Sequence, residues 1–188
     1  MAELLFLDTE TLGIEPTVPI WELAAVRVDD TTGQELDRCH FQVQHDPGNW
    51  LDTLPQQFID DYTTRYDEST ALTVDEAIAE LSRVAGWHTP ILIGGNVVFD
   101  AVLIRRTWME SRGVNPPWHY HVEDISSMAR GYLAAKGVNL ETKNSRNYSL
   151  ALDIDPDDYA RHTAMGDVEW FIDQWKTMMG LTAPRQRK

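Results

Sequence analysis

Asp8 and Glu10 stand two residues apart at the end of the apolar run Leu4-Leu5-Phe6-Leu7. Such a run predicts a buried strand, in which side chains at i and i+2 project to one face, so the two carboxylates sit side by side. Like charges that close repel unless a cation lies between them, and hard carboxylate oxygens suit Mg2+ or Mn2+. The same pair also reads as solvated carboxylates in a loop after the strand. Asp100 has Leu103 and Ile104 at i+3 and i+4, and Asp167 has Ala164 at i−3 and Phe171 at i+4. Both aspartates therefore fall at the edge of a core-facing helical stripe, where a carboxylate must be paired, hydrogen-bonded or metal-bound. Both also lie in a first helical turn, where the helix dipole alone favours an acid. His162 precedes Asp167 by five residues and, taken alone, reads as a surface residue after Arg161.

The elements that must carry these residues follow from periodicity. After the first strand, 20–28 and 36–43 predict two more, joined by a turn at Asp29, Asp30 and Gly33, which makes an antiparallel three-strand meander. Pro55 opens a short helix through Tyr62. Thr73 and Glu76 form a capping box ahead of Val74, Ala77, Ile78, Leu81 and Val84 at helical spacing. A strand over 90–94, a helix over 97–112, a strand over 119–122 and a helix capped by Asp124 come next, and 138–149 reads as a polar loop. Val168, Phe171, Ile172, Trp175 and Met179 define the last helix. The pattern predicts an α/β or α+β domain with a mixed sheet flanked by helices.

Composition bounds what such a domain could do. The chain has 188 residues, 43% of them apolar, enough for one core, and a single domain over 1–182 with a flexible tail over 183–188 is expected. One cysteine, Cys39, excludes an intrachain disulfide and fits a reducing compartment. No signal peptide or apolar run of about 20 residues is present, so a cytoplasmic protein without membrane attachment is expected. The net charge of −14 argues against broad affinity for nucleic acid, though not against a site for its end. Acidic residues crowd the stretch from Asp46 to Glu68, opposed there only by Arg65, and read as a solvated face. His119, His121 and Glu123 share one face of the strand expected over 119–122 and could mimic a metal site, though an exposed polar face explains them as well.

Taken together, Asp8-Thr9-Glu10-Thr11-Leu12-Gly13, Asn96-Val97-Val98-Phe99-Asp100 and His162-Thr163-Ala164-Met165-Gly166-Asp167 resemble the three motifs of the DEDDh, or DnaQ-like, 3'-5' exonucleases of the ribonuclease H-like superfamily. The resemblance spans nearly the whole chain. It implies a ribonuclease H-like α/β fold with a central mixed five-stranded sheet, the meander first. It implies hydrolysis of phosphodiester bonds at single-stranded 3' ends, with DNA favoured and oligoribonucleotide or RNA trimming as the alternative. Asp8, Glu10, Asp100 and Asp167 would hold two divalent cations, Mg2+ or Mn2+, about 4 Å apart, and His162 would be the general base. Thr11 and Leu12 would contact the terminal sugar and base. Phe99 could pack on sugar or base, or in the core, and Asn96 would orient the loop beside Asp100. Many relatives carry His where this chain has Gly95, so any substrate contact from that position is absent. Lys143, Arg146 and Arg161 could steer phosphates or belong to a solvated loop, and a polymerase or replication partner could supply a grip that the acidic surface lacks. A non-catalytic, polymerase-associated module of the same fold is the other outcome the resemblance allows.

Overall fold

The computed structural model describes residues 2–181; the tail expected over 183–188 lies outside them. A five-stranded mixed sheet, in the order β3-β2-β1-β4-β5, forms its centre. The strands are β1 (Glu3–Thr11), β2 (Ile20–Asp29), β3 (Glu35–Gln42), β4 (Ile91–Gly94) and β5 (Val122–Asp124). The first three form the antiparallel meander expected from the sequence, and β4 and β5 add in parallel. The helices are α1 (Gln56–Arg65), α2 (Val74–Ala85), α3 (Val98–Ile104), α4 (Ile125–Ala135), α5 (Ser145–Ala151) and α6 (Ala164–Met179). None is long and apolar enough to cross a membrane.

The Leu4–Leu7 stretch of the central strand β1 is apolar without interruption because helices cover both its faces. Leu5 and Leu7 pack in one core with residues of α2 and α3, while Leu4 and Phe6 pack in a second core with α4 and α6. Phe6 meets Trp175 of α6 edge to face, with ring centroids 5.6 Å apart, an arrangement that adds about 1 kcal/mol beyond area burial. Trp175 is 1% exposed. β4 pairs with β1 only at Leu4, Phe6 and the residue between. β1 therefore continues past its neighbour, and residues 8–11 border an open crevice. Gly94 sits at that step, where an added Cβ would lie 2.5 Å from the Leu7 carbonyl oxygen.

Three expectations need correction. The edge strand runs over Val122–Asp124 rather than 119–122, because pairing of Val122 with Leu92 and Asp124 with Gly94 sets its register. His119 and His121 thus lie off the strand and pack against Tyr120, and among the described residues they join no metal-ligand group. The helix expected over 97–112 is α-helical only to Ile104, then widens to a π-helical turn over Arg105–Met109 and tightens over Glu110–Arg112. Finally, the loop expected over 138–149 contains the start of α5. Asn144 caps it by accepting from the Asn147 amide at 2.8 Å, and Tyr148 and Ser149 are buried. Two turns are too short to display helical periodicity, and the stabilisation is tertiary.

Ser149 joins α5 to α6. Its hydroxyl accepts from Trp170 Nε1 and donates to the Ile154 carbonyl, both at 2.8 Å, with no exposure to solvent. Ser149→Ala would leave a buried indole N–H and a carbonyl unpaired, at about 1–3 kcal/mol each. Urea unfolding should register a loss of at least ~1 kcal/mol, and an unchanged midpoint would contradict this role.

Candidate active site

The pleat of β1 puts Asp8 and Glu10 on one face, and the first turn of α6 brings Asp167 to them. One carboxylate oxygen from each lies within 4.8 Å of the others. This is the metal-ligand group found among the described residues. Asp167 Oδ1 is buried and has no hydrogen-bond partner among them, leaving a lone pair that a cation would satisfy. The donor set is all hard oxygen, so the residues fit a divalent ion such as Mg2+ or Mn2+.

Asp100 does not join the group. It is 4% exposed, and the Thr9 hydroxyl, on the opposite face of β1 from Asp8, donates to its Oδ1. Asp100 therefore borders the group as an oriented, buried carboxylate close enough to repel Asp8.

The electrostatics record this crowding. Burial, then repulsion from Asp100, Asp167, Glu10 and Glu22, pushes Asp8 well above the ordinary carboxylate range. Burial, then Asp167 and Glu22, raises Glu10 to about 8, with Arg65 acting in the opposite sense. Burial also raises Asp100 against the hydrogen bond from Thr9, and raises Asp167 against an N–H bond from His162.

His162 is exposed and has φ of +63°, a left-handed conformation uncommon outside glycine. Its N–H donates to Asp167 Oδ2 at 3.1 Å, and its carbonyl accepts from Arg65 Nη1 at 2.9 Å. Thr163 caps α6 by accepting from the Gly166 amide, and donates its hydroxyl proton to the Ala160 carbonyl at 2.6 Å. Gly166 lets this loop lie against the helix, since a Cβ there would sit 2.0 Å from the Ala160 oxygen. Glycine in a helical turn costs about 1 kcal/mol against alanine, so its presence signals close backbone approach.

Two cavities flank the carboxylates. One, of about 430 Å³, opens beside Glu10 and Thr11 and is walled by Ile14, Leu54, Pro55 and Phe58. Ile14 is 85% and Phe58 46% exposed. Leu12, expected to contact the terminal nucleotide, is instead 1% exposed and buried in the core, because the bend after β1 turns it inward. The apolar wall comes instead from the segment around α1, whose weak periodicity hid it. Thr11 stays at the cavity, with its hydroxyl donating to the Gly13 carbonyl at 2.6 Å. Phe99 is half-buried against the first core and lines neither of these two cavities.

The other cavity, of about 410 Å³, adjoins Asp8 and Asp167 and is bordered by Asn96, Ser126, Ser145 and Arg161. Asn96 has φ of +56°, and its N–H donates to Asp124 Oδ2 at 2.8 Å. A Cβ on Gly95 would lie 2.8 Å from the Phe171 ring, so a larger residue there requires that ring to move. Arg161 lies over the Trp170 ring, and its buried Nε has no hydrogen-bond partner among the described residues. Arg146 is occupied by Asp157 in a bidentate pair at 2.7 Å, and Lys143 is exposed.

The raised carboxylates imply a definite pH dependence. A group whose pKa is raised on folding stabilises fully below its unfolded value and loses that contribution as pH rises through the folded value. Without divalent ions, the melting temperature should fall between about pH 5 and about 8, the value reached by Glu10. Mn2+ at about 100 times its Kd should raise it by ~5–10 °C at pH 8, and by less at pH 5.5. Asp8→Asn should flatten both responses. A metal-independent melting temperature at pH 8 would contradict the cation reading.

Comparison with known proteins adds a family. The family model described as the 3'-5' exoribonuclease Rv2179c-like domain matches residues 3–179. No curated protein matches the chain. Among solved structures, exonuclease I superposes with a TM-score of 0.70 at 20% identity, as does E. coli exonuclease I in complex with a 5cy-dT13 oligonucleotide. A zinc-bound E. coli exonuclease I–ssDNA complex superposes at 0.67 and 19%. Each match covers 98% of this chain but only 42% of the exonuclease I chain, and at that identity the likeness concerns the fold. The family match extends over almost the whole described length, and the chain belongs to the Rv2179c-like 3'-5' exoribonuclease domain family.

Proposed function

We propose that this protein is a metal-dependent 3'-5' exonuclease that removes nucleoside 5'-monophosphates from single-stranded ends, with RNA as its substrate. The observation that carries this reading is the convergence of Asp8, Glu10 and Asp167 within 4.8 Å, in a chain whose family is described by exoribonuclease activity. The family supports moving the expected preference from DNA to RNA. DNA is kept as a second reading because exonuclease I, which shares the fold, is described in complex with dT13 and dA16 oligonucleotides.

Asp8, Glu10 and Asp167, with Asp100 beside them, would hold two divalent cations. Those ions would supply positive charge for the attacking water and for the oxygen that departs. His162 takes the proton from that water as its oxygen attacks phosphorus, and its backbone bond to Asp167 holds it beside the carboxylates. The bond from phosphorus to the 3' oxygen of the preceding nucleotide breaks, that oxygen gains a proton, and a nucleoside 5'-monophosphate leaves.

The two cavities suit the two sides of the scissile bond. Ile14, Leu54 and Phe58 beside Glu10 offer apolar and aromatic surface for the terminal nucleoside. Arg161, which lies over Trp170 with its Nε unpartnered among the described residues, offers a guanidinium to the phosphates of the departing strand.

Digestion of 5'-labelled single-stranded RNA and DNA with Mn2+ or Mg2+ tests the proposal. The wild type should yield a ladder shortening from the 3' end, faster on RNA. Asp167→Ala should abolish it, and His162→Ala should slow it about 10²- to 10⁴-fold. Undiminished activity in Asp167→Ala would sink the proposal, and a faster DNA ladder would return the preference to DNA. Phe58→Ala should raise KM several-fold, in keeping with about 1–3 kcal/mol per base stacked on an aromatic ring.

A further inference from the structure

Glu22 is a buried carboxylate for which the reaction above has no use. It is 3% exposed on β2 and lies directly across from Glu10 in the antiparallel register. Like charges so paired repel. Three donors converge on Glu22: Arg65 Nη2, His40 Nε2 at 2.7 Å and the Ala164 amide at 3.3 Å. Burial is the largest single influence and opposes its ionisation, but the bonds from His40 and Arg65, the Arg65 charge and the Ala164 N–H together hold its carboxyl below the ordinary range.

Arg65 ends α1 and divides its guanidinium between two parts of the molecule. Nη2 is held by Glu22, while Nη1 donates to Asp61 at 2.6 Å and to the His162 carbonyl at 2.9 Å. Its Cζ lies 4.7 Å from the centroid of the Trp21 ring. A guanidinium gripped by two carboxylates and an indole is a fixed post. What it holds is a residue in an unfavoured backbone conformation, His162 at φ +63°, and such conformations persist where the surroundings over-determine them. Two contacts do so: the N–H of His162 is bound to Asp167, and its carbonyl to Arg65.

We propose that Arg65 is a positioning residue, which, braced by Glu22, fastens the His162 loop to the sheet and so sets where the imidazole stands relative to Asp8, Glu10 and Asp167. The catalytic part of this inference rests on His162 being the general base, as proposed above; the mechanical part does not. Arg65 also faces Glu10 electrostatically, so the test must separate loop placement from an effect on the carboxylates.

Trypsin cleaves after Arg161, and cutting a folded chain there requires the loop to open. In the full chain, Arg65→Gln should accelerate release of fragment 1–161, read by mass spectrometry, and Arg65→Lys, which keeps the charge but not the planar fork, should do so less. On a single-stranded oligonucleotide, Arg65→Gln should lower kcat about 10- to 100-fold, the scale of a 1 Å misplacement, with KM within about twofold and partial rescue by Arg65→Lys. The double variant Arg65→Gln/His162→Ala should be no slower than His162→Ala alone. The thermal shift given by Mn2+ should persist in Arg65→Gln, which also reports that the variant folds. Unchanged cleavage after Arg161 would overturn the inference, as would a kcat loss that adds fully to that of His162→Ala. Full activity in His162→Ala would instead refute the general-base assignment, and the proteolysis would still read whether Arg65 holds the loop.

Discussion

Mutual repulsion among carboxylates held at the end of a buried strand is the constraint on which the rest of this structure depends. The pleat leaves Asp8 and Glu10 no choice but to share a face, α6 adds Asp167, and β2 adds Glu22 directly across from Glu10. Each group is answered differently. Glu22 has a fixed arginine, Asp100 has the Thr9 hydroxyl, and Asp167 has the His162 N–H on one oxygen and, among the described residues, no hydrogen-bond partner on the other. The unanswered charge is concentrated on Asp8, Glu10 and Asp167, where a cation is the natural complement.

Packing on both faces of β1 keeps that arrangement from relaxing. Phe6 and Trp175 tie the strand to α6 a few residues from the acids, and Leu5 and Leu7 tie it to α2 and α3. Because β1 outruns β4, the acids emerge from this core into a crevice. Its two sides are lined differently: Ile14, Leu54 and Phe58 stand toward α1, and Ser126, Ser145 and Arg161, beside Trp170 and Phe171, toward α4 and α5. That difference suits a substrate with a base at one side of the reacting phosphate and a charged strand at the other.

Much of this was legible in the chain, and for a local reason. Side-chain period along a strand or helix is set by the backbone, so the meander, α2 with its capping box, the pairing of Asp8 with Glu10, and the inward edge positions of Asp100 and Asp167 could all be read from spacing. Glycines carried a further signal: Gly166 in a helical first turn marks where the His162 loop lies against α6. Glu22, within the largely apolar first half of β2, was a comparable signal, but its meaning depends on partners 43 residues away at Arg65 and 18 away at His40.

Features whose energy comes from distant partners could not be read from spacing. The edge strand took its register from β4 rather than from its own alternation, and α5 exists because Ser149 and Tyr148 are buried against the rest of the domain. Leu12 turned into the core while Ile14 and Phe58 came to wall the cavity, since the bend after β1 and the docking of α1 are set by packing. Arg65, which in sequence merely opposes an acidic stretch, became the link between β2 and the His162 loop across 97 residues. Spacing along the chain sufficed to pair Asp8 with Glu10 and to turn Asp100 and Asp167 toward the core, because that is backbone geometry; which acids meet, and what holds the histidine beside them, depends on long-range contacts that no local period encodes.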